Sequence, residues 1–208
     1  MPLTVSSAVL AQAFSHCEGT YPDEGCGVLV GPAGEDRAVL FEPCGNIQNQ
    51  MHGQDPVRYP RDARTAYLID PQDLFRLTHR LREEGMSFKA VVHSHADVGA
   101  YFSDEDQRQA APVMNLSITA FARGEGLPED DVRARLARGD LPGDAGSGMV
   151  KARIPVYPDQ VYIVVDVANG QARGYVAFAW DAVARTYVET GVDVTEDSTG
   201  EFRESTTP

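Results

Sequence analysis

The sequence predicts an α/β (α+β) fold, one mixed central sheet flanked by helices. Three observations carry that prediction. Helical and strand-like segments alternate along the chain. The strand-like segments are short apolar runs such as "GCGVLVG" and "FKAVVHSH". The chain has 208 residues, 42% of them apolar, enough for one ordinary domain with a full core. Residues 1–192 therefore read as a single domain carrying an insertion at about 123–152, and 193–208 as an acidic, disordered tail.

Each element has a local reason. The start, "MPLTVSSAVLAQAFSHCEG", lacks the basic opening of a signal peptide and reads as an amphipathic helix near 6–18 capped by Ser6 or Ser7. "GCGVLVG" (25–31) and "RAVLFE" (37–42) form a strand pair around the turn "GPAGED". Residues 43–63, rich in amides, Gly and Pro, read as a long loop of the kind that often carries function. "RTAYLI" (64–69) reads as a strand. In "DPQDLFRLTHRLREEG" (70–85) Asp70 caps a helix, Pro71 suits its first turn, Asp73 completes a capping box, and Gly85 ends it. Leu74, Leu77 and Leu81 fall at helical spacing.

"FKAVVHSH" (88–95) reads as a buried strand, with a helix beginning at Ser103 and a further strand at "NLSITAFA" (115–122). Residues 123–152 turn charged and Gly-rich around a short helix at 128–138, an insertion on the sheet and not a second domain. Arg135 and Arg138 share a face of that helix and suggest a flap that attracts an acidic partner; surface pairs such as Asp131 with Arg135 are the plainer reading. "IPVYPDQVYIVVDV", "ARGYVAFAW" and "RTYVET" supply the closing strands. No internal repeat is visible.

The net charge of −13 disfavours nucleic acid and anionic membranes as partners. No segment approaches the roughly 20 apolar residues of a membrane helix, so a cytoplasmic protein is expected. The three cysteines, Cys17, Cys26 and Cys44, are odd in number and lack a C-x-x-C, which argues against a disulfide framework and a cysteine zinc site. Buried free thiols are expected. The oligomeric state stays open, a homodimer included.

The chemistry concentrates in "KAVVHSHADVGAYFSDEDQRQA", residues 89–110. Residues two apart on a strand point the same way, so His93 and His95 project together and Ser94 points away. Two imidazoles at that spacing can grip one ion at the roughly 2.0–2.1 Å of a zinc–nitrogen bond. Seven residues later "SDED" opens a helix, where one turn brings Ser103 and Asp106 together. H-x-H alone can be chance, and S-x-x-D alone is an ordinary helix cap; the joint pattern directly after an apolar strand is far more specific. The other histidines stand apart: His16 and His79 read as packing or surface residues, and His52, in the 43–63 loop, as a candidate groove residue.

The joint pattern resembles the JAMM/MPN metalloprotease family, whose signature is H-[S/T]-H-x7-S-x-x-D with a glutamate upstream. Here it is His93, Ser94, His95, Ser103 and Asp106, and "PDEGCGVLVG" places Glu24 before a small-residue-rich strand as in many bacterial members. The resemblance covers residues 5–122 and 153–190. Ala96 departs from it, standing where a proline is common. The resemblance implies the cytidine-deaminase-like architecture of that family and a catalytic Zn2+ held by His93, His95 and Asp106. Glu24 would be the general base and Ser103 the donor to the oxyanion. Glu18, Glu35, Asp104 and Glu105 are the other acids considered for the base. It also implies a substrate, the amide or isopeptide bond beside the C-terminal Gly-Gly of a ubiquitin-like or sulfur-carrier protein, with tail trimming or cysteine release as the outcome. A non-catalytic scaffold of the same fold and a hydrolase of small amides are the alternatives.

Overall fold

In the computed structural model, residues 2–196 are described. In chain order the elements are β1 (Leu3–Ser6), α1 (Ser7–Thr20), β2 (Cys26–Pro32), β3 (Arg37–Ala38), β4 (Leu40–Cys44), α2 (Gln48–Gln54), α3 (Pro71–Glu83), β5 (Met86–Ala96) and α4 (Asp104–Ala110). There follow β6 (Val113–Ser117), α5 (Ile118–Glu125), α6 (Glu129–Arg138), β7 (Gly143–Asp144), β8 (Met149–Arg153), β9 (Val161–Ala168), β10 (Gln171–Asp181), β11 (Thr186–Thr190) and β12 (Val192–Thr195). These elements fall into two compact units, one comprising 102–158 and 180–188 and the other the remaining described residues.

In the larger unit the central sheet runs β10-β9-β5-β2-β4. It is mixed: β5 and β9 are parallel, and the other neighbours are antiparallel. The parallel pair is buried on both faces, which is why β5 and β9 read as near-continuous apolar runs and not as alternating strands. Helix α1 starts where the Ser6 hydroxyl accepts from Val9 N–H at 3.3 Å. Its buried Val9, Leu10, Ala13 and Cys17 pack with Leu29, Val92, Ile163 and Val165 of the sheet. All three cysteines are free and buried, as expected. Among the described residues no helix is long and apolar enough to cross a membrane.

Several segments differ from expectation. A second small sheet, β12-β1-β3, is parallel throughout. It takes in residues 193–195, the start of the stretch expected to be a disordered tail; 197–208 lie outside the described residues. The 43–63 loop contains helix α2. Residues 64–69 form no strand, only a single bridge between Asn46 and Ile69. There the Asn46 side chain stands in for a strand partner, donating to Ala66 O and accepting from Leu68 N–H. At α3, Asp70 caps as expected, accepting from Gln72 N–H. Asp73, however, turns away from the cap and accepts from Gly45 N–H at 2.8 Å, tying the helix to the end of β4.

The smaller unit has its own core. Residues 115–122, expected to be one strand, change from β6 to α5 at Ser117, whose hydroxyl caps the helix by accepting from Ala120 N–H. Ile118, Phe121 and Ala122 are buried at helical, not alternating, spacing. They pack with Val132 and Leu136 of α6 and with Val150 and Ala152 of β8. The 123–152 stretch therefore supplies core residues of this unit and is more than a surface elaboration. In α6, Arg138 pairs with Asp140 just past the helix end.

Candidate functional site

The site grows from the C-terminal end of β5. That strand is paired on one side with β2, where Cys26 lies opposite His93, and on the other with β9, where Val164 lies beside His93 and Asp166 beside His95. Both histidines are buried, at 0% and 3% exposure, and their ring centres are 5.2 Å apart. Ser94 faces the other way. Its hydroxyl accepts from Gly25 N–H at 2.8 Å while its own N–H donates to Gly25 O at 2.9 Å. A hydroxyl between two histidines thus extends the β2–β5 pairing by one residue beyond Cys26.

Glu24 is the residue just before that extension and lies outside the ladder: its N–H donates to Ala63 O at 2.6 Å and its carbonyl accepts from Asn46 Nδ2 at 2.9 Å. Gly25 and Ser94 take the α1 face. A Cβ at Gly25 would meet Thr20 Oγ1 at 2.5 Å and Cys17 Cα at 3.0 Å, so only glycine lets β2 begin this close to the helix. Glu24 is 4% exposed, although an acid is rarely buried without a role or a partner.

Neighbouring groups orient the rings. Tyr67 stacks on His93, with centroids 4.2 Å apart and planes 20° apart, which covers the ring face and not its nitrogen edge. His95 Nδ1 lies 3.2 Å from Gly99 O. A carbonyl oxygen can only accept, so Nδ1 donates and, in the neutral ring, Nε2 keeps the lone pair. Tyr101 meets the His95 ring edge-on at 4.8 Å. The intervening loop is anchored by Asp97, whose carboxylate accepts from Tyr21 Oη–H and Asn169 N–H, both at 2.8 Å. Those two bonds, the backbone one foremost, hold Asp97 below the usual carboxylate range.

Ser103 and Asp106 belong to the smaller unit. They form a full capping box at the start of α4: Asp106 N–H donates to Ser103 Oγ at 3.2 Å, and Ser103 N–H and Oγ–H donate to Asp106 Oδ2 at 2.8 and 2.7 Å. Asp106 is 4% exposed. The next residue, Gln107, fixes the helix by donating to Tyr187 O and accepting from Tyr187 N–H.

The other acids and histidines are engaged elsewhere. Glu18 accepts from Ala172 N–H, Glu35 pairs with Arg37, Glu105 pairs with Arg108, and Asp104 is exposed. His16 contacts Cys26 O and the Phe41 ring, and burial lowers its pKa. His79 is exposed beside Phe75. His52 Nδ1 donates to Tyr59 O at 2.7 Å, so it stitches its own loop. Burial raises the Cys17 and Cys44 thiols to about 12 and pushes Cys26 up as well.

Sequence reading did not single out Asn46, Tyr67 or Asp97. The only signal for the first was the density of amides in "CGNIQNQ".

The buried pair on β5 suits a divalent cation with a preference for imidazole. Two imidazoles side by side and out of water offer two nitrogen donors to one ion. His95 presents Nε2 as its donor through the bond from Nδ1 to Gly99, an arrangement common behind metal-binding histidines.

The chain is 27% identical over 108 residues to proteins named CysO-cysteine peptidase from Mycobacterium tuberculosis and Mycobacterium bovis, a match covering 52% of this chain and 65% of theirs. A solution structure of a protein from Desulfitobacterium hafniense superposes with a TM-score of 0.55 at 14% identity, covering 93% of each chain. One from Salinibacter ruber gives 0.51 at 18% identity, covering 94% of this chain and 93% of that one. These two likenesses show the fold. Residues 6–136 match the family described as prokaryotic homologs of the JAB domain, and the chain belongs to that family.

Proposed function

We propose that this chain is a zinc-dependent peptidase. Its substrate in this reading is the amide or isopeptide bond beside the C-terminal Gly-Gly of a ubiquitin-like or sulfur-carrier protein, and it either trims a tail or releases cysteine. One observation carries the reading: two buried imidazoles stand at the end of a sheet-locked strand, and a buried glutamate lies two residues before the strand paired with it. The name of the mycobacterial relatives supports the substrate class.

The proposed ligands are His93 and His95, with Asp106 added by the motif spacing. Three protein ligands plus an open position is the pattern of a catalytic zinc, not a structural one. Bound there, zinc would act as a Lewis acid that brings the pKa of water from 15.7 to about 7. Glu24 accepts the proton of the attacking water and delivers it to the departing amine. Ser103 turns its hydroxyl from Asp106 to the oxyanion that develops on the attacked carbonyl. The 43–63 segment, which packs against Glu24, forms one wall of the groove for an extended Gly-Gly tail.

The test is mass spectrometry on a panel of sulfur-carrier proteins bearing either C-terminal extensions or cysteine in amide linkage to the last glycine. Loss of the terminal adduct, leaving a Gly-Gly end, is expected for at least one carrier. A zinc-loaded protein that turns over none of them would point instead to a scaffold, and turnover of small amides alone would point to a small-molecule hydrolase.

A further inference from the structure

We infer that Asn46 is the positioning residue for the proposed base, a role that rests on the assignment of Glu24 above. Glu24 lies two residues before β2 begins, so regular strand pairing does not hold it. Side-chain amides do so instead. Asn46 Nδ2 donates to Glu24 O at 2.9 Å and to Ala66 O at 3.3 Å. Its Oδ1 accepts from Gln48 N–H at 3.0 Å and Leu68 N–H at 3.1 Å. A carboxamide has two N–H donors and two acceptor lone pairs, and all four are used here.

The other side of the Glu24 peptide is pinned as well. Glu24 N–H donates to Ala63 O at 2.6 Å, and Ala63 N–H donates to Asn49 Oδ1 at 2.8 Å. Gln48 Nε2 donates to Arg61 O at 2.7 Å and holds the same turn. Three amides within four residues of sequence, Asn46, Gln48 and Asn49, therefore build the frame around one glutamate. Asn46 bonds both Glu24 and the 66–68 segment. Tyr67, between its two contacts in that segment, is the ring stacked on His93. One side chain thus fixes the base relative to the aromatic wall of the first histidine.

The side-chain chemistry is specific. Aspartate keeps the shape and both acceptor contacts but has no donors, and it sets a carboxylate against the carbonyls of Glu24 and Ala66. Serine is too short to span them. A displacement on the order of 1 Å can cost about 100-fold in rate.

The experiment uses zinc-loaded full-length protein and a carrier amide cleaved by the wild type. Asn46→Asp is expected to lower kcat by about 10- to 100-fold, with KM within about threefold and zinc content unchanged. In a Glu24→Gln background the same substitution should add less than about threefold, because its effect passes through Glu24. Amide hydrogen exchange supplies a readout without turnover. The Glu24 N–H should exchange faster in Asn46→Asp and in Asn46→Ser, while β9 and β10 keep their protection. Asn46→Ser serves if the aspartate variant does not fold. Wild-type kcat, a loss that multiplies with Glu24→Gln, or unchanged Glu24 exchange overturns the proposal. If Glu24→Gln itself turns over like the wild type, the base assignment fails, and the exchange result still decides the Asn46 link.

Discussion

The two histidines and the glutamate are all buried but are held by different means. His93 and His95 sit inside a ladder, with β2 on one side and β9 on the other. Glu24 sits beyond the ladder and is fixed by the Asn46 carboxamide and the Ala63 carbonyl. Backbone pairing on both sides fixes the main chain of the histidine pair. Side-chain pairing makes the proposed base sensitive to one amide. Ligand geometry and base geometry should therefore fail separately.

The largest break is at the ladder residues themselves. A His93→Ala/His95→Ala variant should lose its zinc, measured by elemental analysis of protein purified without added metal, and with it all measurable turnover. Full retention of zinc would show that the metal is held elsewhere.

A smaller break strikes the junction between ladder and base. Gly25→Ala puts a methyl where Thr20 Oγ1 and Cys17 Cα already stand. Overpacking of this kind costs about 1–3 kcal/mol, and thermal melting should register about 2–4 °C for each kcal/mol. Because the shift also moves Glu24, activity should fall further than stability alone explains. A melting curve and turnover equal to the wild type would mean that the contact at Gly25 relaxes freely.

The smallest effect is an expected silence. With Cys17 and Cys44 raised to about 12, and Cys26 raised by the same burial, very little of any of the three is thiolate at pH 8. Iodoacetamide at that pH should leave all three unmodified in the native protein and label them after unfolding. The sign follows from burial disfavouring the thiolate, so labelling should rise only as the pH approaches 12. Rapid native labelling of Cys26 would show that the ladder beside His93 opens.

The same contrast explains what could be read from the sequence. A period of two on a buried strand is a backbone rule, so the shared direction of His93 and His95 was legible, as was Ser103 capping onto Asp106 within one helical turn. Glu24 was singled out because it borders a buried strand and matches the family position. The clamp on it was not, since Asn46 meets Ala66 and Leu68 through a fold that brings distant residues together, and no local period encodes that. Residues 64–69 misled for the same reason: their β-like composition serves burial of Ala66 and Tyr67 against a side chain, not pairing with a strand. At 115–122 the period was misread, because Ile118, Phe121 and Ala122 follow a helical stripe that a short apolar run conceals.

The most direct test of separable ligands and base is to measure zinc content and kcat on the same preparation of Glu24→Gln. Glutamine keeps the shape of the side chain and removes the proton acceptor, and general-base catalysis is worth about 10²- to 10⁴-fold. The variant should carry as much zinc per chain as the wild type and turn over a carrier amide slower by that factor. Loss of zinc together with activity, or undiminished turnover with zinc in place, would contradict it.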